Sequence, residues 1–156
     1  MKFKELIDVV FIGVYNDSIY NLLSYLLLNG KMCDYAQYNG KEIAREDFHL
    51  AEIGQGSYVF FSLGMRVLTL ENYVIPDLYI DFTKQDDNLE ILLFFDIDNL
   101  GGITTQDKLD GLKLWCDRIK DKYSFSTYSC CMDNGDVTDI NELYFDSEGR
   151  YGSLYK

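Results

Sequence analysis

The chain has 156 residues, of which 47% are hydrophobic and 15% aromatic, a composition that suits one globular domain over residues 1–156 and lacks the low hydrophobicity of disordered chains. It carries 26 acidic and 14 basic side chains, a formal net charge of −12, and a surface of this sign repels nucleic acid and anionic membranes. Nine acidic and two basic residues fall in the middle third, 50–100, and such an excess either steers a basic protein partner toward the surface or serves solubility.

The first third is predicted to be mainly helical. Residues 5–14 fit either a helix or a buried strand, because they are apolar on all sides and rich in β-branched residues, and we prefer a helix. Asp17 is a suitable N-cap for the next helix, and Asn29-Gly30 provides its stop. Residues 41–51 are a weaker helix candidate. The apolar side of the second of these helices consists of Ile19, Leu22, Leu23, Leu26 and Leu27.

The middle of the chain alternates with the period of two that is typical of strands. In residues 57–71, Val59 to Val67 alternate on one face, and Gly64 marks either a bulge or a turn between two strands. Pro76 separates this segment from a hairpin whose turn is KQDDN, residues 84–88. The buried face of that hairpin is predicted to consist of Ile80, Phe82, Leu89, Ile91, Leu93, Phe95 and Ile97.

A long helix and short strands are predicted for the last third. Thr104 and Asp107 have capping-box spacing at the start of a helix over 104–122, and a strand over 126–132 and a hairpin over 142–155 follow. Together the elements predict an α+β domain with N-terminal helices and a largely antiparallel sheet of about five to six strands. The long helix packs on this sheet, and a β-hairpin ends the chain.

The cysteines and the single histidine, His49, argue against a metal site. Cys33, Cys116, Cys130 and Cys131 form no CxxC pair, although structural zinc ligands come in spaced pairs. We predict reduced, mostly buried thiols and no cofactor. No apolar run approaches the roughly 20 residues of a membrane span, and no signal peptide is recognised, so we expect a cytoplasmic protein.

One stretch, FFDIDNLGG, resembles the first motif of the haloacid-dehalogenase-like phosphatases. The resemblance implies a nucleophile at Asp96, an acid/base at Asp98 and a bound Mg²⁺. Residues 99–101 depart from the family's pattern, and 58 residues follow Asp98, which leaves little room for the family's later motifs. If the strand continues, both aspartates share the face of Glu90, and the pair then lies on a solvated sheet face. A metal-dependent hydrolase is kept as an alternative.

Other catalytic patterns fail on spacing. Residues 133–142 look like a calcium loop, but Gly135 and Val137 stand where side-chain oxygens are required. Ser62 lacks the first glycine of a nucleophile elbow, because residue 60 is Phe. We therefore predict that the protein is not an enzyme.

The thirteen tyrosines either fill the margins of a small core or form protein contacts, because tyrosine is enriched at interfaces. Tyr35 and Tyr38 flank a polar loop, and Tyr144, Tyr151 and Tyr155 belong to the predicted terminal hairpin. We expect these side chains to be exposed.

In size, acidity and composition, the chain resembles the immunity proteins of bacterial toxin systems, such as those paired with contact-dependent inhibition toxins. The resemblance implies one-to-one binding that covers the active site of a cognate toxin domain, commonly a basic nuclease. A homo-oligomeric structural or accessory protein, for instance a homodimer, is a further alternative. The predicted partner-binding residues are acidic positions of the central hairpin and the terminal tyrosines: Asp77, Asp81, Asp86, Asp87, Glu90, Asp96, Asp98, Tyr144, Tyr151 and Tyr155.

Overall fold

A computed structural model describes residues 5–28, 33–42, 53 and 55–155. Within these residues, the strands form one eight-stranded sheet in the order β3-β2-β4-β5-β6-β1-β7-β8, and every neighbouring pair is antiparallel. The α+β class and the antiparallel sheet are thus confirmed, with more strands than the five to six predicted. The elements are β1 (Leu6–Val14), α1 (Asp17–Leu28), β2 (Cys33–Tyr38), β3 (Lys41–Glu42), β4 (Tyr58–Leu70), β5 (Tyr73–Gln85), β6 (Asn88–Asp96), a 3-10 turn (Ile97–Asn99), α2 (Thr105–Tyr123), β7 (Thr127–Met132) and β8 (Leu143–Asp146).

The preference for a helix over residues 5–14 is wrong, because this segment is the interior strand β1. It pairs along its length with β6 on one side and with β7 on the other. Ile7, Val9 and Phe11 are buried, whereas Asp8 and Val10 between them are half-buried. The alternation shows a strand with one face in the core. Although the apolar residues are also spaced as in a helix, pairing with strands on both sides determines the structure of this segment.

Both helices pack on the same face of the sheet. The buried side of α1 includes Ile19, Leu22, Leu23 and Leu26, as predicted, although the capping residue is Asn16 rather than Asp17. The Asn16 side-chain oxygen accepts a hydrogen bond from the Ile19 N–H at 3.1 Å. No helix in the described ranges is long and apolar enough to cross a membrane.

Helix α2 confirms the predicted long helix and its capping box. The Thr104 hydroxyl accepts from the Asp107 N–H, and the Asp107 carboxylate accepts from the Thr104 N–H. Trp115 packs under the helix with 1% exposure, and its indole N–H donates to the Leu70 carbonyl oxygen at 2.9 Å. The core lies between helices α1 and α2 on one side and the buried face of the sheet on the other.

Strands β4 and β5 run without interruption for 13 residues each, so Gly64 marks no turn. In both strands the alternation of buried and exposed residues shifts by one position at the same place. Consecutive buried residues there are three apart instead of two: Met65 and Leu68 on β4, and Ile75 and Leu78 on β5. Between the latter pair, Asp77 has a left-handed φ of 51°. Val67, predicted on the buried face, is consequently only half-buried.

The predicted terminal hairpin is replaced by β8 and a folded tail. Beyond the turn, a single bridge joins Phe145 to Tyr151. The tail then approaches β8 so closely that a Cβ on Gly152 would lie 1.9 Å from the Leu143 carbonyl oxygen. This tail covers the outer edge of β8 and protects it from pairing with another chain.

The weaker helix candidate, residues 41–51, is only partly described. Lys41 and Glu42 form the short strand β3, and residues 43–51 lie outside the described residues. Asn29-Gly30 and His49 lie outside them as well, and so does the side chain of Tyr35.

Candidate functional site

The face of the sheet opposite the helices is the candidate site, because no helix of the described segments packs on it. Its residues alternate with the core residues along each central strand, and the strand register brings them into rows. We call this surface the open face. It consists of Asp8, Val10, Ile12, Ser62, Tyr79, Asp81, Glu90, Leu92, Phe94 and Ser129.

An apolar band crosses the centre of the open face. Val10 of β1 lies opposite Leu92 of β6 in the register, and both are half-buried, as is Phe94. Ile12 is 47% exposed and Tyr79 is 56% exposed. Large apolar side chains placed together on a surface mark contact sites more often than isolated ones do.

Carboxylates border two depressions in the open face, of about 490 and 410 Å³, which share Asp8 and Leu92. Arg150 is the one cation among the described residues that line them, and its Nε donates to the Asp146 carboxylate at 2.7 Å. The depressions are therefore strongly acidic. The carboxylate residues that line them are Asp8, Asp81, Glu90, Asp133, Asp146 and Glu148.

Asp8 is half-buried on β1 and lines both depressions. Partial burial raises the pKa of its carboxyl, and the nearby charges of Asp133 and Asp81 raise it further. The backbone N–H of Asn134, which donates to Asp8 at 3.0 Å, opposes these effects. Asp8 is not among the predicted site residues, because a helix is expected over residues 5–14. The alternation of buried and half-buried residues in this segment with a period of two indicates a strand that places Asp8 on the open face.

Exchanging Asp8 for asparagine is expected to increase the free energy of unfolding at pH 7. The pKa of Asp8 is higher in the folded protein than in the unfolded chain. Protonated Asp8 therefore stabilises the fold below the ordinary pKa of an aspartate, and this stabilisation is lost as pH rises through the folded pKa. Asparagine removes the charge and can still accept the Asn134 hydrogen bond. Urea denaturation at pH 7 and pH 3 measures the effect, with Asp121→Asn on the exposed side of α2 as control. An equal gain at pH 3 would contradict this explanation.

Of the predicted acidic contacts, Asp81 and Glu90 lie on the open face. The Ser62 hydroxyl donates to the Asp81 carboxylate at 2.6 Å. Asp86 and Asp87 form the exposed two-residue turn between β5 and β6. Asp77 is also exposed, but it lies at the kink of β5, beyond the end of the pairing with β6. The predicted acidic residues of the hairpin therefore lie in three separate places: the open face, the turn and the part of β5 beyond the pairing with β6.

Asp96 and Asp98 do not share a strand face, which corrects that expectation. Strand β6 ends at Asp96, whose carboxylate accepts the Asp98 N–H at 3.0 Å and caps the 3-10 turn. The Asp98 carbonyl oxygen accepts from Lys108 Nζ at 3.0 Å. Within the described residues, no group of three or more His, Cys, Asp or Glu side chains is arranged to hold a metal ion.

The terminal tyrosines lie in different environments. Tyr144 is 2% exposed and donates to the Glu5 carboxylate at 2.9 Å, so the expectation that it is exposed is wrong. Tyr151 is 50% exposed, and its ring lies 4.6 Å from that of Tyr155. Since Tyr155 donates to the Asp110 carboxylate of α2, this pair belongs to the helix side of the molecule.

The described cysteines fit the prediction of reduced, buried thiols. Cys116, Cys130 and Cys131 are free and buried. Burial raises the pKa of Cys131 to about 11 and that of Cys116 well above its usual value, which makes these thiols poor nucleophiles.

Comparison with known proteins assigns the fold and the family. No curated protein matches the chain. One chain of the solved structure described as the toxic C-terminal tip of CdiA from Pseudomonas aeruginosa in complex with immune protein has a TM-score of 0.70 and 15% identity, and the match covers 97% of this chain and 99% of that one. At this identity the likeness concerns the fold. Residues 5–149 match the family described as PABL017 Cdi1I immunity protein, and the chain therefore belongs to that family.

Proposed function

We propose that this immunity protein neutralises the toxic C-terminal tip of a CdiA-type protein by binding it directly. The match to the immunity family over residues 5–149 carries the proposal. The structural neighbour supports it, because that structure is described as a toxin tip in complex with its immune protein. The chain acts by contact, without catalysing a reaction.

Electrostatic attraction brings the two proteins together. The net charge of −12 and the acidic depressions favour a basic toxin domain, because opposite surface charges accelerate association and suppress wrong partners. If the toxin's cationic groove binds its own substrate, the carboxylates inhibit the toxin by occupying that groove. Asp81 and Glu90 are the proposed central contacts. The proposed peripheral contacts are Asp77, Asp86, Asp87, Asp96 and Asp98, whereas the predicted contacts Tyr151 and Tyr155 lie on the helix side and are not proposed to bind the toxin.

The site of action is the cytoplasm of the cell that makes the protein. Three free, buried cysteines support this assignment, because proteins of oxidising compartments commonly use their cysteines in disulfides.

A binding titration tests the function. The partner is the toxin C-terminal domain encoded immediately upstream, separated from the co-expressed complex by denaturation and then refolded. We expect one-to-one binding whose affinity falls at least about tenfold when NaCl is raised from roughly 50 to 500 mM, because screening weakens the charge attraction.

Circular dichroism of both proteins over the same salt range is the control for folding. Failure of the refolded domain to bind would refute the proposed function. Binding with an affinity that is independent of salt would support neutralisation by direct binding but refute attraction by charge.

A further inference from the structure

We propose that the open face is the surface that contacts the toxin, and that it receives a basic segment of the toxin domain. Lysine or arginine side chains of this segment would lay their aliphatic parts on the apolar band and place their charges among the carboxylates. This inference rests on the proposed function and adds to it the surface and the chemistry of the contact.

The apolar band has the properties of an interface centre. Val10, Leu92 and Phe94 lie on two neighbouring interior strands of the sheet, β1 and β6, and are half-buried. Ile12 and Tyr79 beside them are about half-exposed, at 47% and 56%. Covering these side chains removes apolar surface from water, and binding energy concentrates in such well-packed central contacts.

The carboxylates around the band select a cationic occupant. Asp8, Asp81 and Glu90 border the band from three strands, and the one described cation of the depressions, Arg150, is held at their rim by Asp146. Long basic side chains suit this pattern, because their stems cover apolar surface while their charged ends remain beside acids. A cation beside Asp8 also offsets the repulsion from Asp81 and Asp133.

A second copy of the chain does not suit the open face. Pairing two open faces would bring Asp8, Asp81 and Glu90 of one copy toward the same residues of the other. Like charges brought together in an interface cost several kcal/mol.

The helix side is a poorer contact surface for a basic partner, since several of its acidic side chains are already paired with lysines of the chain. Lys113 lies 3.3 Å from Asp117, and Lys122 forms an ion pair with Glu71. A cationic partner at this side would meet lysines as well as acids. The contrast between the two sides makes their contributions to binding separable by mutation.

Two matched variants test the inference in the full chain. Ile12→Arg adds a cation to the centre of the open face, and Leu114→Arg makes the same kind of change on α2, where Leu114 is 62% exposed. With the refolded upstream toxin domain as the probe, we expect Ile12→Arg to raise Kd at least about 30-fold. Leu114→Arg is expected to change Kd less than about threefold.

The outcomes separate this inference from the proposed function. Loss of binding in the wild type refutes both. Wild-type binding that resists Ile12→Arg but is weakened by Leu114→Arg overturns the open face alone. A wild-type mass of two chains by light scattering, reduced to one chain by Ile12→Arg, also overturns it by showing a self-interface. If Ile12→Arg lowers the melting temperature, Tyr79→Ala serves in its place with the same direction of effect.

Discussion

Changing the charge of Asp81 and Glu90 together, as Asp81→Asn with Glu90→Lys, is expected to weaken toxin binding at least about 100-fold at low salt. Both carboxylates border the apolar band, and close charge pairs across an interface contribute roughly 1.5–7 kcal/mol each in favourable cases. Asparagine keeps an acceptor for the Ser62 hydroxyl, so the sheet is disturbed little. Biolayer interferometry at about 50 mM NaCl measures the change, and we expect both slower association and faster dissociation.

A control with the same change in net charge is available on the helix side. Asp17→Asn with Asp121→Lys alters exposed residues of α1 and α2 and should reduce binding less than about fivefold, mainly through association. Equal losses in the two double variants would show that net charge alone matters, and would contradict a local role for Asp81 and Glu90.

Replacing Trp115 with alanine should reduce the free energy of unfolding by about 3–5 kcal/mol, the range for removing a large buried aromatic side chain. Trp115 is 1% exposed and contacts the rings of Tyr73 and Phe11, whose centroids lie 5.4 and 6.2 Å away. Urea denaturation followed by circular dichroism is the suitable measurement, because Trp115 is the single tryptophan of the chain and its fluorescence disappears with it.

Trp115→Phe isolates the hydrogen bond to Leu70. Phenylalanine retains much of the ring packing but leaves the buried Leu70 carbonyl oxygen without its 2.9 Å donor, at a cost of about 1–3 kcal/mol. If the alanine and phenylalanine variants were equally stable, packing against Tyr73 and Phe11 would not be the main contribution of Trp115.

Elements governed by local patterns could be predicted from the sequence. The capping box of Thr104 and Asp107 is a contact between residues three apart, and the β5–β6 hairpin requires only a short turn and alternation. Both are present in the structure. The buried face of the hairpin is also as predicted, because alternation within one strand determines which side chains share a face.

The features that the sequence did not predict depend on contacts between residues that are far apart in the chain. Asp8 lies opposite Phe94 on one side and Cys131 on the other, so its position in the sheet centre depends on residues far along the chain. A helical interpretation of residues 5–14 does not place Asp8 beside Asp81. Tyr144 was misjudged for the same reason, since its burial depends on Glu5 at the other end of the chain.

Binding of the toxin through the open face predicts which side chains the complex shields from solvent. Hydroxyl-radical footprinting by mass spectrometry, with and without the toxin domain, tests this directly, because oxidation reports the exposure of single side chains. We predict that the toxin protects Ile12 and Tyr79 and leaves Leu114 and Tyr20 of the helix side unchanged. Protection of Leu114 and Tyr20, with Ile12 and Tyr79 oxidised as in the free protein, would contradict binding through the open face.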